Sequence, residues 1–246
     1  HTDNRRQRQM CIRDSDHSSH RFINESVCLI HTRLSIIDLN DRSNQPFQSN
    51  DKRYTIVFNG EIYNYKELRK ELETKGYKFI TNGDTEVLLQ GYIEYEEKIL
   101  DKIRGQFAFA IYDNITSELF MARDRVGIKP LYYSVSDDWI LFGSEIKAIE
   151  LSKLVKFEPD IDSYLAYLRH LCVPADRTGN KNIKKLEPGQ FIRIDKNGKI
   201  LKKIYWDPFS FSVNHNLNEK TVAEELDRLL NESVEYRKVS DVEVGL

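Results

Sequence analysis

Three short segments of the chain set polar side chains beside apolar runs: His31-Thr32-Arg33-Leu34-Ser35, Asn59-Gly60-Glu61 and Asp84-Thr85-Glu86. Groups of these types could together hold an α-amino acid. A guanidinium takes a carboxylate in a two-point grip, so Arg33 suits an α-carboxylate. Asp84 would take the α-ammonium. The Asn59 side-chain amide and the Gly60 backbone N–H are the kind of donors that stabilise an oxyanion. Each residue also has an ordinary reading: a paired surface arginine, an Asn-Gly turn, a helix-capping aspartate. Taken one at a time, the residues favour those ordinary readings.

Other chemistry finds less support. Ala122 to Tyr133 carries Arg123, Asp124, Arg125 and Lys129 at a strand end, followed by Pro130. It reads as a buried ion network of the scaffold rather than as catalytic machinery. No glycine-rich phosphate loop occurs, and no histidine pair has metal-ligand spacing, so no metal site is expected. Ser35 lacks the Gly-x-Ser-x-Gly context of a hydrolase elbow. The cysteines, Cys11, Cys28 and Cys172, form no CxxC pair. They read as reduced thiols of a cytoplasmic protein, with Cys28 and Cys172 in apolar settings.

The elements that must position these groups follow from hydrophobic period and turn signals. Tyr54–Phe58 is a β-branched and aromatic strand closed by Asn59-Gly60 as a turn. Residues 61–75 read as a helix with Tyr65, Leu68 and Leu72 on one face and Gly76 as its stop. Tyr77–Ile80 reads as a short strand. Asn82-Gly83 turns the chain, and Asp84 caps a helix bearing Leu88, Gly91, Tyr92 and Tyr95 on one side. Three strand pairs follow: 107–112 with 118–123, 131–135 with 139–142, and 191–194 with 200–205, the last across Asn197-Gly198. Val222, Leu226, Leu229 and Leu230 then mark an amphipathic helix. Antiparallel strands set among helices indicate an α+β layered fold.

Bulk properties exclude several classes. The 246 residues are 40% hydrophobic and 31% charged, ordinary for a globular protein with a sizeable core. A net charge of −2 suggests no nucleic-acid partner and no anionic membrane. No apolar run approaches the ~18 residues of a membrane span.

These segments resemble class II glutamine amidotransferases of the N-terminal-nucleophile type, and specifically asparagine synthetases. The resemblance is carried by His31–Leu39, Phe58-Asn59-Gly60-Glu61-Ile62-Tyr63-Asn64, Asp84-Thr85-Glu86, Ala122–Tyr133 and Phe142–Ala148. It implies a four-layer αββα sandwich of antiparallel sheets, followed by the first helix of an α/β synthetase domain. It also implies a glutamine site. Arg33 would bind the α-carboxylate, the backbone of Leu34, Ser35, Ile36 and Ile37 would line the pocket, Glu61 would help to position the substrate, and Asp84 would bind the α-ammonium. Asn59 and Gly60 would form the oxyanion hole. In the family an N-terminal cysteine attacks the side-chain amide, and its own α-amine serves as base. The released ammonia reaches a second domain, where ATP and Mg2+ activate aspartate. A homodimer is implied as well.

The chain departs from that pattern at both ends. The family's Cys-Gly-Ile start is not seen. Cys11 is followed by Ile12-Arg13-Asp14, and Cys28 has no free amine. Residues 1–19 are therefore expected to be a non-native or replaced arm, 20–209 the amidotransferase domain without its first strands, 210–218 a linker, and 219–246 the truncated start of the synthetase domain. On this reading the chain is inactive as written, with no cofactor of its own, and an uncovered sheet edge makes it aggregation-prone. The alternatives are a non-catalytic glutamine-binding module and an amidotransferase of surface-polysaccharide synthesis.

Overall fold

Short polar loops between apolar runs fold strands back on their neighbours, and every strand pairing described below is antiparallel. The computed structural model describes residues 17–211 and 218–241. Cys11, nearly all of the expected arm, most of the expected linker and residues 242–246 lie outside the described residues. The chain divides into two compact units. One comprises residues up to 57, Ile62–Arg104 and Phe211 onward; the other comprises Phe58–Glu61 and Gly105–Ser210.

The first unit opens with β1 (His17–Asn24) and β2 (Val27–Arg33), an exposed hairpin in register from His17↔Arg33. β1 thus begins inside residues 1–19, the stretch expected to be a non-native or replaced arm. Cys28, expected in an apolar setting, is exposed on β2, and Cys172 is exposed too. Strand alternation explains Cys28: Leu29, its neighbour, takes the buried side. β3 (Phe47–Gln48) pairs with the first half of β4 (Tyr54–Ile62) through Phe47↔Ile56. Helices α1 (Tyr65–Thr74), α2 (Asp84–Tyr95) and α3 (Ile99–Lys102) follow. α1 buries Tyr65, Leu68 and Leu72 at i, i+3 and i+7, as the period requires. The helix stops at Gly76, which takes φ +92°.

Two expectations fail here. The helix starts at Tyr65, not at 61, because β4 runs on through Ile62. Tyr77–Ile80 pairs with no strand. Its donors are taken locally, Tyr77 N by Leu72 O and Ile80 N by the Glu86 carboxylate. Gly91 sits where a Cβ would lie 2.6 Å from Ile99 Cδ1, the movable end of a side chain. Gly91→Ala should therefore cost only about 1–2 kcal/mol, read as a lowered urea midpoint with an unchanged m-value.

In the second unit β5 (Gly105–Asp113) and β6 (Glu118–Arg123) form the expected hairpin, closing at Asp113↔Glu118. β5 is buried without interruption from Phe107 to Asp113, so both its faces are covered. β7 (Tyr132–Val135) and β8 (Ile140–Gly143) pair next, and α4 (Ile146–Leu151) and α5 (Ile161–His170) follow. β9 (Lys184–Lys185) completes a small sheet in the order β8-β7-β9. β10 (Gln190–Ile194) pairs with β6 and with β11 (Ile200–Ile204) across the Asn197-Gly198 turn. A chain of aromatic contacts fills the unit: Phe107–Phe109 at 5.6 Å, Phe109–Phe120 at 6.0 Å and Phe120–Phe191 at 5.2 Å between ring centroids.

The Ala122–Tyr133 segment is scaffold, but its charges are met mainly by backbone. Arg123 donates to the carbonyls of Lys129, Leu186 and Gly127. The fully buried Asp124 accepts from the amides of Phe107, Val126, Ile128 and Lys129. Neighbours in sequence on a strand end point to different sides, so the two charges serve two sets of backbone groups rather than each other.

The last helix, α6 (Glu219–Arg237), is capped by the Asn218 side chain, which accepts from Thr221 N at 2.9 Å. Within the first unit it is held by polar contacts: Arg104 to Glu232 at 3.2 Å, the Tyr236 hydroxyl to Glu67 at 3.3 Å, and Arg237 over the Tyr63 ring at 5.0 Å. Among the described residues no helix is long and apolar enough to cross a membrane.

Candidate functional site

The site residues expected from sequence fall into two groups. Arg33, Leu34–Ile37 and Asp84 belong to the first unit, and Asn59, Gly60 and Glu61 to the second.

Arg33 ends β2, and its guanidinium is buried. Nη1 donates to Asn44 Oδ1 at 2.9 Å and to Asn40 O at 3.3 Å. Nη2 donates to Ile37 O at 3.0 Å and to Asp38 O. The side chain thus winds the following loop around itself. Leu34 and Ile36 point outward, and Ile37 is buried. A positive charge is thereby fixed under a loop whose carbonyls already face it.

Asp38 was not among the expected site residues, yet it organises this loop. It takes φ +48°, uncommon for a residue with a Cβ. Its carboxylate accepts from Ser43 Oγ and Asn82 N, both at 2.7 Å, and from Asn40 N at 3.2 Å. Burial alone would raise its pKa. The Asn82 and Asn40 amides, the Ser43 hydroxyl and the Arg42 charge outweigh burial and hold it below the ordinary value. The sequence signal was the Asp38-x-Asn40 spacing, which suits an Asx turn.

Asp84 is the first residue of α2, whose N-cap is Gly83, so it is not the cap expected from sequence. Its carboxylate reaches across to the end of β4 and accepts from Ile62 N at 2.9 Å. Burial pushes its pKa up to about 6, against the pull of the Ile62, Asp84 and Thr85 amides and of the Arg33 charge. Two buried carboxylates of one unit are thus driven in opposite directions, Asp38 toward the anion and Asp84 toward the acid. Glu86, two residues on, is structural: it ties down Ile80 and Thr81 through both amides and the Thr81 hydroxyl.

In the second unit, Asn59, Gly60 and Glu61 are half-buried and lie within β4, not in a turn. Asn59 Nδ2 donates to Ser144 Oγ at 3.3 Å. Gly60 takes φ +152°, and a Cβ there would lie 2.1 Å from Gln106 O and 2.7 Å from Phe107 Cα. The glycine is required by the close approach of another backbone. An Asn amide held near a bare backbone is a fair oxyanion donor pair in kind. Among the described residues no cluster of His, Cys, Asp and Glu could hold a metal ion.

Comparison with known proteins bears on this arrangement. A glutamine amidotransferase domain family matches residues 2–206. The chain is 40% identical over 237 residues to asparagine synthetase [glutamine-hydrolyzing] 1 of Bacillus subtilis, covering 96% of this chain and 37% of that protein. It is 39% identical over 225 residues to a putative asparagine synthetase [glutamine-hydrolyzing] of Mycobacterium bovis, covering 87% of this chain and 34% of that one. The chain therefore spans about a third of the length of these relatives. Among solved structures, the glutamine phosphoribosylpyrophosphate amidotransferase of B. subtilis superposes with a TM-score of 0.53 at 22% identity, covering 73% of this chain and 35% of that one. At that identity the likeness concerns the fold alone.

Proposed function

The chain belongs to the glutamine amidotransferase domain family, and from that premise we propose that it is the glutamine-binding, ammonia-donating domain of an asparagine synthase. The overall reaction would convert aspartate, glutamine and ATP to asparagine, glutamate, AMP and pyrophosphate. One observation carries the reading. A single unit holds a buried guanidinium and a buried carboxylate close enough for the Arg33 charge to act on Asp84. Those are the two charges that a zwitterionic amino acid needs to meet.

The roles follow from the chemistry of each group. Arg33 receives the α-carboxylate by exchanging its longest bond, the 3.3 Å contact to Asn40 O, for a charged oxygen. The backbone of Leu34, Ser35, Ile36 and Ile37 lines that end. Asp84 receives the α-ammonium, and Glu61 helps to position the substrate. Asn59 and Gly60 offer the side-chain amide and the backbone N–H for the oxyanion. The strand β5, covered on both faces, supports a four-layer αββα arrangement. ATP, Mg2+ and aspartate are assigned to a synthetase domain outside the residues given, and a cytoplasmic homodimer is the expected setting.

No cysteine of this sequence offers the family's nucleophile. Cys28 lies inside β2 with its nitrogen in a peptide bond, Cys172 follows α5, and Cys11 lacks the Gly-Ile that follows the family's cysteine. We therefore expect this chain to bind L-glutamine without releasing ammonia. Calorimetric titration checks the first part: Arg33→Ala should weaken binding by about tenfold or more, since a charge-assisted bond is lost. An enzymatic ammonia assay checks the second. Absence of any L-glutamine binding by the folded chain would sink the reading, and ammonia release would sink the assignment of inactivity.

A further inference from the structure

The residues after α6 come back to the loop that wraps Arg33. The helix ends in a tight turn, with Lys238 N on Glu235 O at 3.2 Å. Three residues later Asp241 docks on the loop at two points. Its own amide donates to Ile36 O at 3.0 Å, and its carboxylate accepts from Asp38 N at 2.8 Å. A main-chain donor and a charged acceptor from one residue thus bracket Ile37. This is the pattern of a strand pair reduced to one residue, with the stronger half charge-assisted.

What Asp241 holds matters more than the contact itself. Asp38 sits at φ +48°, a conformation that persists only where the surroundings impose it. From there its carbonyl takes Arg33 Nη2, and its carboxylate takes Asn82 N, two residues before Asp84. One hydrogen-bonded series therefore runs from Asp241 through Asp38 to Arg33 and to Asn82, from which the chain leads through Gly83 to Asp84. α6 supports the series, being anchored to the same unit through Glu232, Tyr236 and Arg237.

We propose that Asp241 is a positioning residue for the amino-acid pocket: it clamps the Ile36–Asp38 segment so that Arg33 and Asp84 are held ready for the zwitterion. Any displacement of the segment after α6 is thereby transmitted to glutamine affinity. This inference rests on the glutamine reading given above for its ligand, but the clamp itself does not.

The test uses the full chain with Asp241→Ala and Asp241→Asn. Asparagine keeps an oxygen acceptor for Asp38 N, whereas alanine does not. Two quantities are read for each protein: the L-glutamine Kd by calorimetry, and amide hydrogen exchange at Asp38 and Asn82, with β5 and β6 as internal references. Asp241→Ala should raise Kd by about tenfold and speed exchange at both loop amides by a similar factor, leaving β5 and β6 unchanged. Asp241→Asn should recover most of both losses. A Kd within twofold of wild type in Asp241→Ala overturns the proposal, even if exchange quickens. So does unchanged exchange at Asp38, or an asparagine variant as impaired as the alanine one. If the wild-type chain binds no glutamine, the functional reading falls, and the exchange data alone decide whether the clamp exists.

Discussion

Gly60→Ala should be the most damaging single-methyl change in this chain, lowering stability by about 4 kcal/mol or preventing folding altogether. The reason is the immovability of the atoms that a Cβ would meet. Gln106 O at 2.1 Å, Phe107 Cα at 2.7 Å and Gln106 C at 3.0 Å are all backbone of β5. That strand is buried from Phe107 onward, so it cannot step aside without disturbing the aromatic contacts of Phe107, Phe109 and Phe120. The positive φ of Gly60 adds a conformational cost to the collision. Gly198→Ala is the matched control. It too sits at positive φ, +76°, but a Cβ there meets nothing within 4 Å. It should lose only about 1 kcal/mol, the cost of the left-handed conformation. Urea unfolding of both variants separates the two contributions. If they lose equal stability, the backbone collision is not what makes Gly60 necessary.

Gly60 also shows why part of the fold was legible and part was not. An Asn-Gly pair after a β-branched run is a local turn signal, and at Asn197-Gly198 that reading holds, with β10 and β11 paired across it. At Asn59-Gly60 the same dipeptide continues a strand, because the neighbouring backbone at Gln106–Phe107 excludes a side chain. That neighbour is more than forty positions away, and no local pattern reports it. The same limit moved the start of α1 to Tyr65, whereas Tyr77–Ile80 fails as a strand for a local reason, its donors being taken by Leu72 and Glu86. Elements whose partners are close in sequence were readable: the β5–β6 and β7–β8 hairpins, the Gly76 stop and the helix marked by Val222, Leu226, Leu229 and Leu230. α4 and α5 were not assigned from sequence. α5 offers no clean burial pattern, since Ile161, Leu165 and Leu168 are all more than half exposed. For the candidate site, the sequence offers residue types but not their engagements. Nothing in the sequence tells that Arg33 spends its hydrogens on its own loop, that Asp38 holds that loop, or that Asp241 reaches it from two hundred residues away.

With Asp84 proposed to bind the α-ammonium, stability and function should oppose each other there, and replacing it by asparagine should show both. Its carboxyl has an ordinary pKa of 3.8 and is pushed up to about 6 by burial in the folded chain. Between those values the folded protein keeps a proton that the unfolded chain has released, so stability falls as pH rises across that window and levels off above it. The loss at neutral pH is about 3 kcal/mol. Asp84→Asn retains an oxygen for Ile62 N but has no charge to desolvate. It should be more stable than wild type at pH 7 by up to about 3 kcal/mol, with no advantage near pH 4. Binding should move the other way. An α-ammonium beside Asp84 favours the ionised carboxylate, so glutamine affinity should rise as pH passes through about 6, and Asp84→Asn should lose tenfold or more of it. Urea midpoints and L-glutamine titrations across this pH range test the pair of effects. A variant that gains no stability at neutral pH would remove the claim that burial strains Asp84. A variant that gains stability and keeps its affinity would leave the strain real but unconnected to the ligand. The expected combination identifies Asp84 as a charge kept in an unfavourable place because a ligand's positive charge is meant to complete it.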